Sequence, residues 1–263
     1  MDLALRNCVA VVTGGSSGIG LATAAAFLEE GADVAICGRD PARLQAAQAD
    51  LGARFGPERV LAACCDVTKA DEVRAFADAA TSWRGKVDIL VNNAGQGRMS
   101  TFADTTDDQW REELDLKFFS QIYPVRAFHP ALERSRQGAI VAVNSLLAYQ
   151  PEPYMVCTSA ARAGVQSLVK SLAREFAPAI RVNSVVLGLI DSGQWERRFQ
   201  ARENKAQSRD EWIAELARSK HIPYGRLGLP EEVARAIVFL ASPAVGYITG
   251  ASLEISGGVS RYI

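Results

Sequence analysis

The sequence predicts a doubly wound α/β fold, a parallel sheet with helices on both faces. Three observations predict it. Strand-like and helix-like segments alternate along the whole 263-residue chain. The strands read as continuous apolar runs, as strands covered on both faces do, instead of alternating apolar and polar residues. The first of them runs into Thr13-Gly14-Gly15-Ser16-Ser17-Gly18-Ile19-Gly20, a glycine-rich turn that opens an alanine-rich helical pattern. That order of strand, turn and helix is the start of a doubly wound sheet.

The elements follow in order. Residues 8–12 are the first strand and 21–30 the helix after the turn. Glycine lets backbone N–H groups approach a phosphate, and the helix N-terminus adds partial positive charge, so this junction is an anion site. Gly31 caps the helix, and 33–37 reads as the second strand. Asp40-Pro41 opens a helix to about Phe55, with Asp40 as N-cap and Pro41 at the first helical position. A third strand spans 59–65 and a third helix 69–83; a fourth strand, 87–91, leads into Asn92-Asn93-Ala94-Gly95. Asp107 begins a long helix toward Arg134, which Pro124 and Pro130 must bend or shorten. Strand 138–144, helix 154–176 and strand 180–186 come next. Residues 188–225 are charged and glycine-poor, with short helical patterns around Trp195 and Trp212. A helix at 230–240 and a strand at 252–255 end the chain. With no linker, low-complexity tract or repeat, one domain is expected over 1–263.

Composition narrows the function. A formal net charge of −1 gives no basic field for nucleic acid or an anionic membrane surface. No apolar run reaches transmembrane length. The N-terminal Met1-Asp2-Leu3-Ala4-Leu5-Arg6-Asn7 lacks the basic and apolar regions of a secretory signal. Cys8, Cys37, Cys64, Cys65 and Cys157 are odd in number and sit mostly in apolar runs, which suits buried, reduced thiols in a cytoplasmic protein. Cys64-Cys65 has no metal-ligand spacing, and no metal is expected.

These motifs, in this order, resemble the short-chain dehydrogenase/reductase family over nearly the whole chain. The 13–20 turn resembles its cofactor loop, Asp66-Val67 its adenine contact, and Asn92-Asn93-Ala94-Gly95 the turn that steadies its central sheet. Ser145 lies at the catalytic serine position, Arg181-Val182-Asn183-Ser184-Val185 resembles the sixth strand, and Gly250 with Gly257-Gly258 the C-terminal segment. The resemblance implies a single Rossmann domain and a nicotinamide dinucleotide site. In it Gly14, Gly18 and Gly20 would make room for the pyrophosphate beside Ser16 and Ser17, with Ile19 packing beneath the nicotinamide. Asp66 would accept from the adenine amino group and Val67 pack beside the ring. Asn93 would support the turn, with Ala94 and Gly95 leaving backbone room for the cofactor. Gly188, Ile190 and Ser192 would follow the sixth strand, Ser192 where a threonine often contacts the carboxamide. Gly38 stands where an NAD-preferring relative carries an acidic residue, and Arg39 follows it. A guanidinium there pairs with a 2′-phosphate and stacks on adenine, so NADP(H) is favoured, with NAD(H) as the alternative.

The catalytic pattern departs from the family. Of its tyrosine, lysine, serine and asparagine, this chain keeps only Ser145. The tyrosine position holds Thr158, the lysine position Arg162 and the asparagine position Lys117. A threonine hydroxyl has a far higher pKa than a phenol and a shorter reach, so Thr158 cannot simply replace it. Arg162 keeps a charge for the ribose hydroxyls but cannot shuttle a proton. Lys117 offers an ammonium in the space of the missing water or lysine. Tyr154 and Tyr149 are candidates either for a substitute acid or, the more ordinary reading, for a pocket wall, and Tyr154 would share a helix face with Thr158 and Arg162 at i, i+4, i+8 spacing. Two readings follow. One is an oxidoreductase moving a hydride to or from a carbonyl or alcohol with a rearranged proton relay. The other is a dinucleotide-binding sensor or partner subunit without the usual turnover.

The 188–225 segment is where the family places its substrate lid. Trp195, Phe199, Trp212 and Ile213, with Met99 and Met155, suggest a small-molecule substrate with an apolar part. Arg197, Arg198 and Arg202 could meet an acidic group, but Glu196, Glu203, Asp210, Glu211 and Glu215 favour a solvated amphipathic helix pair. The family's assembly implies a homotetramer or homodimer. The long helices from Asp107 and Tyr154 would supply the paired faces, and Tyr262-Ile263 an apolar docking end.

Overall fold

The computed structural model describes residues 1–202 and 205–262; the expectations for Glu203 and Ile263 lie outside the described residues. Seven strands form one parallel sheet: β1 (Val9–Thr13), β2 (Asp33–Gly38), β3 (Val60–Cys64), β4 (Ile89–Asn92), β5 (Gly138–Ser145), β6 (Ile180–Leu187) and β7 (Ser252–Ile255). Their order across the sheet is β3-β2-β1-β4-β5-β6-β7. The chain therefore winds outward in one direction from β1 to β3, then returns through β4 and winds the other way. That reversal leaves a crevice at the C-terminal ends of β1 and β4, where doubly wound sheets bind ligands.

The sheet separates two apolar layers. Ala10, Val12, Val34 and Ile36 point to one face, covered by α1 (Gly18–Glu29), α2 (Pro41–Phe55) and α9 (Pro230–Ala241). Val9, Val11, Ala35 and Cys37 point to the other, covered by α3 (Ala70–Arg84), α5 (Ser120–Arg134) and α6 (Val156–Glu175). Strands buried on both faces need apolar residues at every position, which is why the sequence shows runs. Arg181 ties β6 to the end of α9, donating to the carbonyl oxygens of Leu240, Ala241, Ser242 and Ile248 at 2.8–3.2 Å.

Several local features differ from expectation. The Asp107 helix is neither shortened nor ended by its prolines: Pro124 and Pro130 both lie inside α5. It is interrupted earlier, after α4 (Asp107–Leu114), by a π-helical turn at Asp115–Phe119 in which the Ser120 N–H reaches back to the Asp115 carbonyl. This wider turn lies just ahead of Pro124, whose missing N–H leaves the Ser120 carbonyl without its helical partner. Tyr154 precedes α6 and so does not share a helix face with Thr158 and Arg162. Cys64 is exposed at the end of β3, whereas the other four thiols are buried. The 188–225 segment carries α7 (Gly193–Gln200) and α8 (Arg209–Ser219). Among the described residues, no helix is long and apolar enough to cross a membrane and no acid, histidine or cysteine cluster could hold a metal ion.

Candidate active site

The glycine turn and the β4 turn lock together across the crevice. Thr13 Oγ1 accepts from the backbone N–H groups of Asn93 and Ala94 at 3.0 and 3.1 Å, while Asn93 Nδ2 donates to the carbonyls of Thr13 and Gly14 at 2.9 and 3.2 Å. Asn93 is thus the support the sequence suggests. The glycines divide their work differently from expectation. A Cβ on Gly20 would lie 2.2 Å from the Gly14 carbonyl oxygen, and one on Gly14 2.9 Å from Ala94 Cα. The bare Cα at both positions lets the two turns pack in contact. Gly18, at φ +54°, faces open space toward Ser192, whose Cβ is the single neighbour within 4 Å. Helix α1 begins at Gly18 with no side-chain cap from Ser17 and no acid in its first turn. Its N-terminal donors and dipole are left for an anion.

The far end of the crevice lies over β2 and β3. Gly38 is buried under Ser16, whose Oγ would stand 3.0 Å from a Cβ there, and Arg39 is exposed beside it. Asp66 Oδ1 accepts from the Thr68 N–H and hydroxyl at 3.0 and 2.8 Å, so one carboxylate oxygen organises its own turn. Despite partial burial, the Thr68 bonds and the nearby Arg39 and Lys69 charges hold the Asp66 pKa below the usual carboxylate value. Val67 is buried beneath it.

The catalytic positions form a buried charged cluster. The π turn carries Lys117 inward, with none of its side chain exposed to solvent. Its Nζ donates to Glu113 Oε2, one helical turn earlier, and Glu113 is itself only 3 % exposed along its side chain. Thr158, from α6, donates its hydroxyl to the same Glu113 oxygen at 3.0 Å. Burial pushes the Lys117 pKa down; Glu113 opposes that shift, and the Arg162 charge adds to it. Arg162 donates from Nη1 to the Val143 carbonyl at 2.8 Å, while its buried Nε has no partner among the described residues. Its Nη2 would stand 3.3 Å from a Cβ on Gly95, which places the guanidinium against the β4 turn. Loss of water pushes the Arg162 pKa down to about 10. Ser145 closes β5 and accepts from the Leu147 N–H at 3.3 Å, with its own proton directed by no partner among the described residues.

The tyrosines make contacts elsewhere. Tyr154 is 37 % exposed, and its hydroxyl accepts from Lys220, just past α8, at 3.3 Å. Tyr149 is exposed and packs against Tyr262 with ring centroids 4.9 Å apart and planes tilted by 41°. In the lid, Arg209 binds Asp191 and Glu196 at 2.6 and 2.8 Å, and Trp212 packs against Trp195 and Phe199. Arg202 lies over the Phe199 ring, and Arg198 over Trp195. A cleft between the lid and the β4 turn is lined by Gln96, Gly97, Arg98, Gln194, Arg197 and Arg198. Ile190 is buried and pairs with Gly228, and Gly188 packs on Ser256, whose Cα would be 2.9 Å from a Cβ there. Glu113 was not among the residues singled out from the sequence. Its one signal there was the i, i+4 spacing to Lys117, which ordinarily marks a pair on a solvated helix face.

The chain is similar to several known proteins. A family model described as enoyl-(acyl carrier protein) reductase matches residues 14–260. The 3-oxoacyl-(acyl-carrier-protein) reductase FabG of Chlamydia muridarum is 34 % identical, over 99 % of this chain and 100 % of its own. A solved short-chain oxidoreductase from Pseudomonas aeruginosa PAO1, described as containing an atypical catalytic center, is 61 % identical with a TM-score of 0.94, covering 97 % of this chain and 98 % of the other. Its NADPH-bound form superposes with a TM-score of 0.91 at 59 % identity, over 98 % of this chain and all of the other. L-sorbose reductase from Gluconobacter frateurii, solved with NADPH and L-sorbose, shares 33 % identity over the full length of both chains with a TM-score of 0.95. On the matched model, the full-length relatives and the shared sheet, this chain belongs to the short-chain dehydrogenase/reductase family.

Proposed function

We propose that the protein is an NADP(H)-dependent oxidoreductase that interconverts a carbonyl and its carbinol with a proton relay built around Lys117. The observation that carries this reading is a buried lysine, within reach of the Arg162 charge, at one of the family's catalytic positions, with Ser145 kept at another and the family's tyrosine missing. The residues present fit the cofactor. The uncapped α1 N-terminus and the open side of Gly18 suit a pyrophosphate, and the unpartnered Arg162 Nε suits a ribose hydroxyl. Exposed Arg39 after Gly38 suits a 2′-phosphate. When bound, the dinucleotide supplies or accepts the hydride. The protein's part is to polarise the substrate oxygen and exchange one proton with it. Ser145 donates a hydrogen bond to that oxygen, and Lys117 supplies the proton in the reducing direction.

The NADPH-bound relatives and the reductase names among them support the same cofactor and a carbonyl substrate. The lid aromatics favour a substrate with an apolar body. A homotetramer or homodimer fits the family and the exposed edge strand β7, with Leu253 outward. One observation favours the second reading, a dinucleotide binder without turnover: the Thr158 hydroxyl is committed to Glu113.

The experiment that separates the two readings compares wild type with the double variant Thr158→Tyr/Arg162→Lys. Each is incubated with NADPH and a panel of ketones, aldehydes and quinones. Wild-type turnover that is removed by Lys117→Ala supports the oxidoreductase. If wild type binds NADPH without oxidising it while the double variant turns over, the second reading replaces it.

A further inference from the structure

We propose that Glu113 is a positioning residue of this site, holding Lys117 inward as an ammonium and turning the Thr158 hydroxyl away from the reacting oxygen. The inference rests on the oxidoreductase reading and adds to it a residue outside the four positions that define the family's chemistry.

The geometry carries the argument. A carboxylate taken out of water needs donors, and Glu113 has two on one oxygen, from Lys117 and Thr158. They arrive from two different elements, the π turn and α6, so the carboxylate joins the helix that supplies the lysine to the helix that supplies Thr158 and Arg162. A threonine hydroxyl has one proton, and here it points at Glu113. Thr158 therefore has none to give a substrate. The titratable and charged groups facing Lys117 among the described residues are Glu113 from its own helix and Arg162 and Cys157 from α6. Arg162 does not exchange protons at working pH, and the Cys157 thiol is buried. Without Glu113, burial and the Arg162 charge would both act to strip the proton from Lys117. With it, the ammonium persists while still being easier to deprotonate than a surface lysine.

The proton balance is simple. In reduction, an N–H bond of Lys117 breaks and an O–H bond forms on the substrate alkoxide, leaving a neutral amine that takes a proton back from solvent before the next turnover. Glu113 changes neither bond; it sets which groups present a proton.

The test uses Glu113→Gln, which keeps the shape and removes the charge. Lysine labelled at Cε gives an NMR titration of Lys117, assigned by its loss in Lys117→Met, that needs no turnover. An opposite charge in contact moves a titration by about 1–3 pH units. Lys117 in Glu113→Gln is therefore expected to lose its proton at least about 1 pH unit lower than in wild type. The alkaline limb of carbonyl reduction is expected to move with it, and Glu113→Asp is expected to restore part of the shift. An unmoved Lys117 titration overturns the proposal. If wild type reduces no carbonyl, the oxidoreductase reading fails while the titration still decides the role of Glu113. If Glu113→Gln does not fold, the double variant Glu113→Gln/Lys117→Met decides, because it removes both buried charges. Recovery of a cooperative transition in it supports the proposal, and a double variant that also fails to fold overturns it.

Discussion

Replacing Arg39 by alanine separates the two dinucleotides. Arg39 is exposed at the end of β2, and the preceding Gly38 carries no carboxylate to hold an unphosphorylated ribose. Its interaction with a 2′-phosphate is a charge-assisted pair at a solvated edge. Hydrogen bonds to charged groups contribute about 1.5–3 kcal/mol, and solvent exposure reduces that to about 1–2 kcal/mol. The Arg39→Ala variant should therefore bind NADPH about 5–30-fold more weakly. NADH lacks the phosphate and should lose little more than the stacking of the guanidinium on adenine, less than about threefold. Fluorescence titration of both reduced dinucleotides, at low and high salt, reads this out. The NADPH penalty should shrink at high salt, where the phosphate charge is screened. Equal losses for the two dinucleotides, or no loss for either, would refute the assignment of Arg39 to the phosphate.

Gly20→Ala should weaken both dinucleotides and the fold together. Its Cβ would overlap the Gly14 carbonyl oxygen at 2.2 Å and Asn93 Nδ2 at 2.5 Å, so the turns must part, at a cost of about 1–3 kcal/mol in thermal unfolding. Arg181→Ala leaves the Leu240 and Ala241 carbonyls without this donor, while those of Ser242 and Ile248 keep bonds from the Val245 N–H and Asn183 Nδ2, and should cost about 2–4 kcal/mol of stability in denaturant unfolding, with NADPH affinity of the folded fraction unchanged. Tyr154→Phe removes the lid contact to Lys220 and should raise KM several-fold while kcat stays within about threefold; a kcat loss of about 100-fold would return Tyr154 to the role of acid.

Much of the fold was legible because its signals are local. Asp40 and Pro41 mark the start of α2 by capping chemistry, and the structure places that helix at Pro41–Phe55 with Asp40 accepting from the Arg43 N–H. The parallel sheet was legible from uninterrupted apolar strands, since burial on both faces leaves no polar positions to alternate. What the sequence hid depends on contacts between distant segments. Gly14 and Gly20 read as phosphate room, yet their space is filled by Ala94, Asn93 and each other, residues some 80 positions apart in the chain in part. The prolines of the Asp107 helix were visible, but the helix is interrupted at Asp115–Phe119, ahead of both. Tyr154 had the right spacing for a helix face that begins only at Val156. Glu113 was hidden for a physical reason: an i, i+4 acid and base look the same in sequence whether water or α6 covers them.

The central claim is that Lys117 does the proton work the missing tyrosine would do. Its most direct measurement is the rate of NADPH oxidation with a reducible carbonyl by wild type and Lys117→Met, each first shown to bind NADPH equally well. The account predicts wild-type turnover with an alkaline limit set by one deprotonation, and a loss of about 100-fold or more in Lys117→Met at every pH. A Lys117→Met protein that turns over within tenfold of wild type, with the same pH profile, would contradict it.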